Sequence, residues 1–276
     1  MNNRIDAHQH FWKFDPVRDS WIDETMLAIR RDFLPEDLLP VLQENQFSGC
    51  VAVQASQSED ETNFLVNLSA KNDFIKGVVG WVDLRGVTIE ERLNHFSGHK
   101  KIKGFRHVVQ GESDDFMLRK DFQNGIGALK QFNFTYDILI FHRQLPAAIS
   151  LANQFPDQPF VIDHIAKPDI KSGDISSWKK GIEEIAKAEN TWCKISGMVT
   201  EANWKTWKTN DLKPYLDVIF ENFSTDKLMF GSDWPVCNVA SDYTEVVKTL
   251  EDYIAQLSSK DQNKIWNENA ISFYNL

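Results

Sequence analysis

The chain is predicted to fold as one distorted (β/α)8 barrel, a TIM-like α/β architecture, on three observations. Eight short apolar runs alternate with longer amphipathic stretches, several of the runs are apolar throughout, and 276 residues suit one such barrel. A strand in a parallel sheet is covered on both faces, so it reads as a continuous apolar run rather than an alternating one. Gly77-Val78-Val79-Gly80-Trp81-Val82 and Asp137-Ile138-Leu139-Ile140-Phe141 read this way. An open doubly wound sheet is the competing arrangement, but no Gly-x-Gly-x-x-Gly follows the first strand. No linker, low-complexity segment or charge block divides residues 1–276, so a single domain is expected.

The predicted strands are, in order, Arg4 to His8, Gly49 to Gln54, Lys76 to Val82, Ile102 to Val108, Phe134 to Ile140, Phe160 to Asp163, Thr191 to Ile195 and Lys227 to Phe230. The helices between them carry their own start signals. Ser58-Glu59-Asp60-Glu61 and Thr88-Ile89-Glu90-Glu91 match the capping box, in which the hydroxyl accepts from an orphan N–H and the glutamate reaches back. Phe64, Leu65 and Leu68 recur at helical spacing after the first, and Leu93 and Phe96 after the second. Leu34-Pro35-Glu36 and Leu145-Pro146-Ala147 place proline in a first turn, where no N–H is lost. Two closing helices are expected, over about Tyr243 to Gln256 and Lys260 to Ala270.

Composition narrows the partners. Hydrophobic residues at 42%, with nine Trp and nineteen Phe, supply a large core without disulfides or a structural metal. A net charge of −10 argues against nucleic acid, which is met by a basic patch. Cys50, Cys193 and Cys237 are widely spaced and odd in number, as expected of buried reduced thiols in a cytoplasmic protein. No basic segment followed by an apolar run opens the chain and no stretch approaches a membrane span, so no membrane partner is expected.

In a (β/α)8 barrel the chemistry sits at the C-terminal ends of the strands, so those ends are read together. In an extended strand His8 and His10 project the same way, although the pair alone reads equally well as two polar residues on a solvated face. Five of the seven histidines, His8, His10, His107, His142 and His164, fall at strand ends or just past them, while His95 and His99 fall on helices. That bias favours function over scatter. Asp233, in Phe230-Gly231-Ser232-Asp233-Trp234-Pro235, follows the last strand through a glycine turn and suits metal binding, proton abstraction from water, or both. With His8, His10 and His164 it makes a candidate ligand set for one divalent ion, zinc or manganese by donor type. Arg106 and His107 end the fourth strand and Gln54 the second, and all three are candidates for substrate contact. Arg143 and His142 follow the fifth strand and line either the pocket or its loop. Trp12, Trp81 and Trp234 suit core or pocket wall, with Trp12 and Trp234 as candidate substrate contacts, and Lys167 reads as a loop residue near the rim.

The segments Ile5-Asp6-Ala7-His8-Gln9-His10-Phe11-Trp12, Gly104-Phe105-Arg106-His107-Val108-Val109-Gln110, Asp163-His164-Ile165-Ala166-Lys167-Pro168, Lys194-Ile195-Ser196-Gly197 and Phe230 to Pro235 resemble, in order, one branch of the amidohydrolase superfamily. That branch contains the L-fuconolactonase and L-rhamnonolactonase type enzymes, and Asn269-Ala270-Ile271-Ser272-Phe273-Tyr274 resembles its closing helix. The resemblance spans the chain and implies a barrel enzyme that opens a sugar lactone, such as L-fuconolactone, to the hydroxy acid. Asp233 is then the general base, with His8, His10 and His164 as catalytic partners and metal ligands, zinc being the first expectation. Where the wider superfamily has a histidine at strand five and often a carboxylated lysine or glutamate at strand four, this chain has Asp137 and Arg106-His107. That departure argues against two metals and leaves metal-free catalysis open. Two alternatives also stand on the sequence: a metal-dependent decarboxylase or lyase, and a hydrolase of dicarboxylate lactones of the pyrone or muconolactone type.

Overall fold

The computed structural model describes residues 4–276, in which eight parallel strands form one sheet in sequence order. They are β1 (Arg4–Gln9), β2 (Phe47–Val53), β3 (Ile75–Gly80), β4 (Ile102–Val108), β5 (Thr135–Leu139), β6 (Phe160–Ile162), β7 (Thr191–Ile195) and β8 (Leu228–Phe230). Every expected strand is present, with ends displaced by at most two residues. The helices are α1 (Pro35–Glu44), α2 (Glu59–Lys71), α3 (Ile89–Ser97), α4 (Lys120–Leu129), α5 (Leu145–Gln154), α6 (Ser176–Ile185), α7 (Met198–Glu201), α8 (Thr209–Asn222), α9 (Tyr243–Ile254), α10 (Ser259–Asn263) and α11 (Asn269–Tyr274). The fold is the (β/α)8 barrel. Among the described residues, no helix is long and apolar enough to cross a membrane.

The ring closes through the segment after β8 rather than through β8 itself. His10 N–H donates to the Trp234 carbonyl at 2.7 Å and Asp233 N–H to the His8 carbonyl at 2.8 Å. Both bonds fall at the C-terminal rim, so closure of the barrel also positions the residues that point into its mouth.

Side-chain alternation divides the apolar residues into two clusters. The larger lies between sheet and helices. The smaller, including Ile5, Ala7, Val51, Val53, Val79 and Met229, fills the lower interior and is plugged by Phe273 and Tyr274 of α11. The helix expected over Lys260 to Ala270 is divided: α10, a π turn over Lys264–Glu268, then α11. The wider turn re-aims Asn269, whose amide donates to the carbonyls of Thr225 and Leu228 at 2.7 and 2.6 Å and fastens α11 beneath the strands.

Pro35 and Pro146 occupy first turns as expected. The capping boxes do not form as written. Ser58 Oγ accepts the Glu61 N–H at 3.1 Å, but the Glu61 carboxylate accepts instead from the N–H groups of Ala55 and Ser56, tying down the loop after β2. Thr88 makes no cap bond, because its backbone (φ −102°, ψ 19°) is already turning rather than extended.

Burial pushes the Glu61 carboxyl from 4.5 to about 6, against those two N–H donors. The folded chain holds that proton more tightly than the unfolded one, so the contribution to stability is full below pH 4.5 and is lost as the pH rises through about 6. Glu61→Gln keeps an acceptor for the loop and should flatten the pH dependence of urea unfolding across this window by about 2 kcal/mol. An unchanged pH slope would show that Glu61 does not carry the effect.

Candidate active site

β1 brings two histidines into the barrel by breaking its own register. Ile5 pairs with Gly49 and Asp6 with Cys50, but Gln9 pairs with Ala52, so β1 spends three residues where β2 spends two. Such a bulge resets the alternation. Ile5 and Ala7 face the interior, Asp6 and Gln9 face the outer layer, and His8 and His10 both turn inward with their Nε2 atoms 3.2 Å apart.

The turn after β8 is built around the same strand. A Cβ at Gly231 would lie 2.6 Å from His8 Cβ, so only glycine lets β8 approach. Ser232 donates its N–H and its hydroxyl to buried Asp6 at 2.9 and 2.6 Å; burial still pushes the Asp6 carboxyl up to about 6. Asp233 then adopts φ +58°, uncommon for a side-chain-bearing residue, and points Oδ1 at three imidazoles. It lies 3.3 Å from His10 Nε2 and 3.9 Å from Nε2 of both His8 and His164. His164 enters from a left-handed turn after β6, and Ser196 Oγ meets its backbone N–H at 3.2 Å and its Nδ1 at 2.9 Å.

Beneath these groups lies a layer of enclosed charge. Lys194 Nζ is 2.5 Å from Asp137 Oδ2, 3.0 Å from Asp163 Oδ1 and 3.1 Å from His8 Nδ1. Arg106 Nη1 is 3.0 Å from Asp163 Oδ2, and Tyr274 OH donates to Asp137 Oδ2 at 2.8 Å. Two cations balance two anions. Burial pushes Asp137 up to about 6 against the pull of Lys194. Burial pushes Asp163 the same way, but Lys194, His8 and Arg106 together outweigh it and hold this carboxyl well below its ordinary range. Burial also holds His8 and His164 well below the usual imidazole range, so both are neutral near pH 7. From sequence alone, no role is expected of Lys194, Asp137, Asp163 or Tyr274 in this site. The available signal was a lysine inside the apolar run Thr191-Trp192-Cys193-Lys194-Ile195, since a buried ammonium requires anions beside it.

Among the described residues, two triads have ligand atoms close enough to hold an ion: His8, His10 and Asp233, and His8, Asp163 and His164. The first fits better. His10 Nδ1 lies 2.7 Å from the Val53 carbonyl, which can only accept, so Nδ1 carries a hydrogen while Nε2 faces Asp233 Oδ1 and His8 Nε2. A carboxylate oxygen and two imidazole nitrogens gathered on one point suit a cation, and a backbone carbonyl behind the ring is a common support for a metal-ligating histidine. Their spacings approximate the edge of a tetrahedron, roughly 3.3 Å for ligands about 2.0 Å from zinc. In the second triad Asp163 is already engaged by Lys194 and Arg106. Three of the four expected ligands thus form a compact set, with His164 beside it. Arg106 Nη1, 3.2 Å from His8 Nε2, competes with an ion for that lone pair.

Above the triad opens a cavity of about 230 Å³, lined by His10, Arg106, His164, Asp233, Leu139 and Val108, with Trp21, Gln110 and Lys167 at its wall. The expected substrate contacts divide. Arg106 is in the cavity; Gln54 lies behind it, accepting from Arg106 Nη2 through its carbonyl and donating Nε2–H to the Arg106 carbonyl at 3.2 Å. His107 is not in the cavity, because strand alternation sends it outward: it accepts from Trp81 Nε1, meets Glu112 at 3.0 Å and stacks on Phe116. Trp12 and Trp234 pack against Phe33 with centroids 5.6 and 5.2 Å away, and neither lines the cavity. Trp21, which packs edge-on against Trp12, takes that place. Arg143 is half-exposed outside the cavity, paired with Asp114 at 2.8 Å.

An imidazole and carboxylate cluster at the C-terminal rim of a (β/α)8 barrel is the arrangement of a hydrolytic enzyme. The chain belongs to the amidohydrolase family, whose family model matches residues 5–276. It is 36% identical to L-fucono-1,5-lactonase of Burkholderia multivorans, over 99% of this chain and 96% of that protein. It is 33% identical to L-fucono-1,5-lactonase of Burkholderia ambifaria, over 100% of this chain and 97% of that one. A crystal structure of an amidohydrolase from Burkholderia multivorans with bound Zn superimposes with a TM-score of 0.95 at 36% identity, covering 99% of each chain.

Removing Lys194 would strand two carboxylates in the barrel. Lys194→Met should lower the unfolding free energy by about 3–5 kcal/mol, and Lys194→Met with Asp137→Asn should recover a substantial part of that loss. Denaturant titration of the three proteins reads both effects; a double variant no more stable than the single one would contradict the charge-balance account.

Proposed function

We propose that this amidohydrolase opens a sugar lactone of the L-fucono-1,5-lactone type to its hydroxy acid, with Asp233 activating the attacking water. The observation that carries this is the convergence of three imidazoles on Asp233 Oδ1 at the base of one cavity. The activity named for the two Burkholderia relatives supports the substrate class.

Asp233 Oδ1 faces the imidazoles, which leaves Oδ2 to take a proton from water as its oxygen attacks the lactone carbonyl. Collapse of the tetrahedral adduct breaks the ring C–O bond, and the proton returns to the departing alkoxide. Arg106 at the cavity wall orients the ring, with the Gln54 carbonyl and the Asp163 carboxylate accepting from the guanidinium and holding it in place. His8, His10 and Asp233 would hold a zinc ion, which when bound polarises the carbonyl and lowers the pKa of water. The charge inventory favours an uncharged polyol lactone over a dicarboxylate one. Arg106 is already paired with Asp163 and Lys167 with Glu201, so neither cation is free to meet two substrate carboxylates.

In a pH-indicator screen over five- and six-membered aldonolactones, sugar lactones should release acid without carbon dioxide, and Asp233→Asn should lower kcat by about 100- to 10,000-fold with the fold retained. Near wild-type turnover in that variant would remove Asp233 from the role of base, and carbon dioxide release would move the enzyme to the decarboxylases. Elemental analysis should find about one zinc per chain, and His10→Ala should abolish that zinc while leaving circular dichroism unchanged. A variant that kept its zinc would refute the His8, His10 and Asp233 site.

A further inference from the structure

We propose that Lys167 determines specificity in this site, donating ammonium N–H groups to the ring hydroxyls of the lactone, a role that rests on the lactonase function proposed above. Lys167 borders the same cavity as His10, Arg106, His164 and Asp233. It is placed there by an unusual piece of backbone. His164, Ile165, Ala166 and Lys167 have φ of 53°, 48°, 62° and 45°, four left-handed residues in succession without a glycine. Each is strained for a residue with a side chain and persists only where surrounding structure enforces it. Here Ile165 and Ala166 are fully buried, and Trp178 Nε1 donates to the Ile165 carbonyl at 2.6 Å. The turn brings His164 and Lys167, three residues apart, to one wall.

Three neighbours then fix the lysine. Glu201 Oε1 lies 3.2 Å from its Nζ, its carbonyl is 3.2 Å from His142 Nδ1, and its Nζ lies 5.7 Å from the centre of the Phe141 ring. The Lys167 and Glu201 side chains are only 17% and 19% exposed, so this is not a free surface pair. An ammonium has three donors. Glu201 takes one and cancels the net charge, which leaves two for hydroxyl oxygens and little attraction for an anion. A lysine held in place before binding also loses less side-chain entropy when the ring arrives. His142, which otherwise has no part in the chemistry, thereby acquires one as a support for the turn.

The test compares two lactones of the same ring size: a six-membered sugar lactone and δ-valerolactone, which has no ring hydroxyls. Lys167→Met should raise KM for the sugar lactone about 10- to 100-fold with kcat little changed, and leave kcat/KM for δ-valerolactone at the wild-type value. Glu201→Gln, which frees the ammonium without removing it, should give a smaller rise in KM on the sugar lactone alone and guards against a folding defect in the first variant. Equal losses on both lactones, or no loss on either, would overturn the proposal. If the wild type opens neither lactone, the lactonase function falls and this role falls with it; wild-type activity without the discrimination overturns Lys167 alone.

Discussion

Arg106, Asp137, Asp163 and Lys194 are enclosed within the barrel, and each is tolerated there because of the others. Taking one such ion out of water costs several kcal/mol, so the four are sustainable only as a balanced set with short contacts. The set explains several features at once. Its neutrality allows His8, which touches both Lys194 and Asp163, to remain an uncharged imidazole. Asp163 pairs with Arg106 at the cavity wall, which weakens its pull on anionic substrates. Tyr274 caps Asp137 from below, so the last helix is part of the charge layer as well as the plug of the barrel.

Above that layer the site is made from departures from regular backbone. A bulge turns His8 inward beside His10, a positive φ aims Asp233, and a left-handed turn delivers His164 and Lys167 together. Each departure is enforced by a neighbour: Gly231 gives His8 room, Ser232 locks onto Asp6, and Ser196 holds His164. Strain of this kind is expected where geometry serves a reaction rather than stability. The cluster it assembles directs two imidazole nitrogens and a carboxylate oxygen at one point, which suits a proton in transit or a metal ion.

Much of this was legible in the sequence. Continuous apolar runs marked the strands, because strands covered on both faces tolerate little else, and the bias of histidines toward strand ends marked the rim. Single side chains were harder to place. His107 follows Arg106 in the same strand, yet alternation along β4 sends one into the cavity and the other to Phe116. Trp21 stands at the cavity wall where Trp12 was expected, because packing against Phe33 draws Trp12 into the aromatic layer. The capping glutamate Glu61 shows the same limit: its spacing was right, and a neighbouring loop competed successfully for its carboxylate.

The sequence by itself determined the element order, the barrel and its family resemblance, and it singled out His8, His10, His164 and Asp233 as candidates, since periodicity and motif spacing are local properties of the chain. Tertiary structure alone decided which charges meet. Lys194 and Asp137 are 57 positions apart and Tyr274 lies a further 137 from Asp137, so nothing in their neighbours along the chain predicts the contact. It likewise decided that three of the four candidate ligands form a compact set, because that depends on one bulged residue in β1 and on the dihedral angles of Asp233. Such choices are settled by burial and by the pairing of polar groups across the whole barrel.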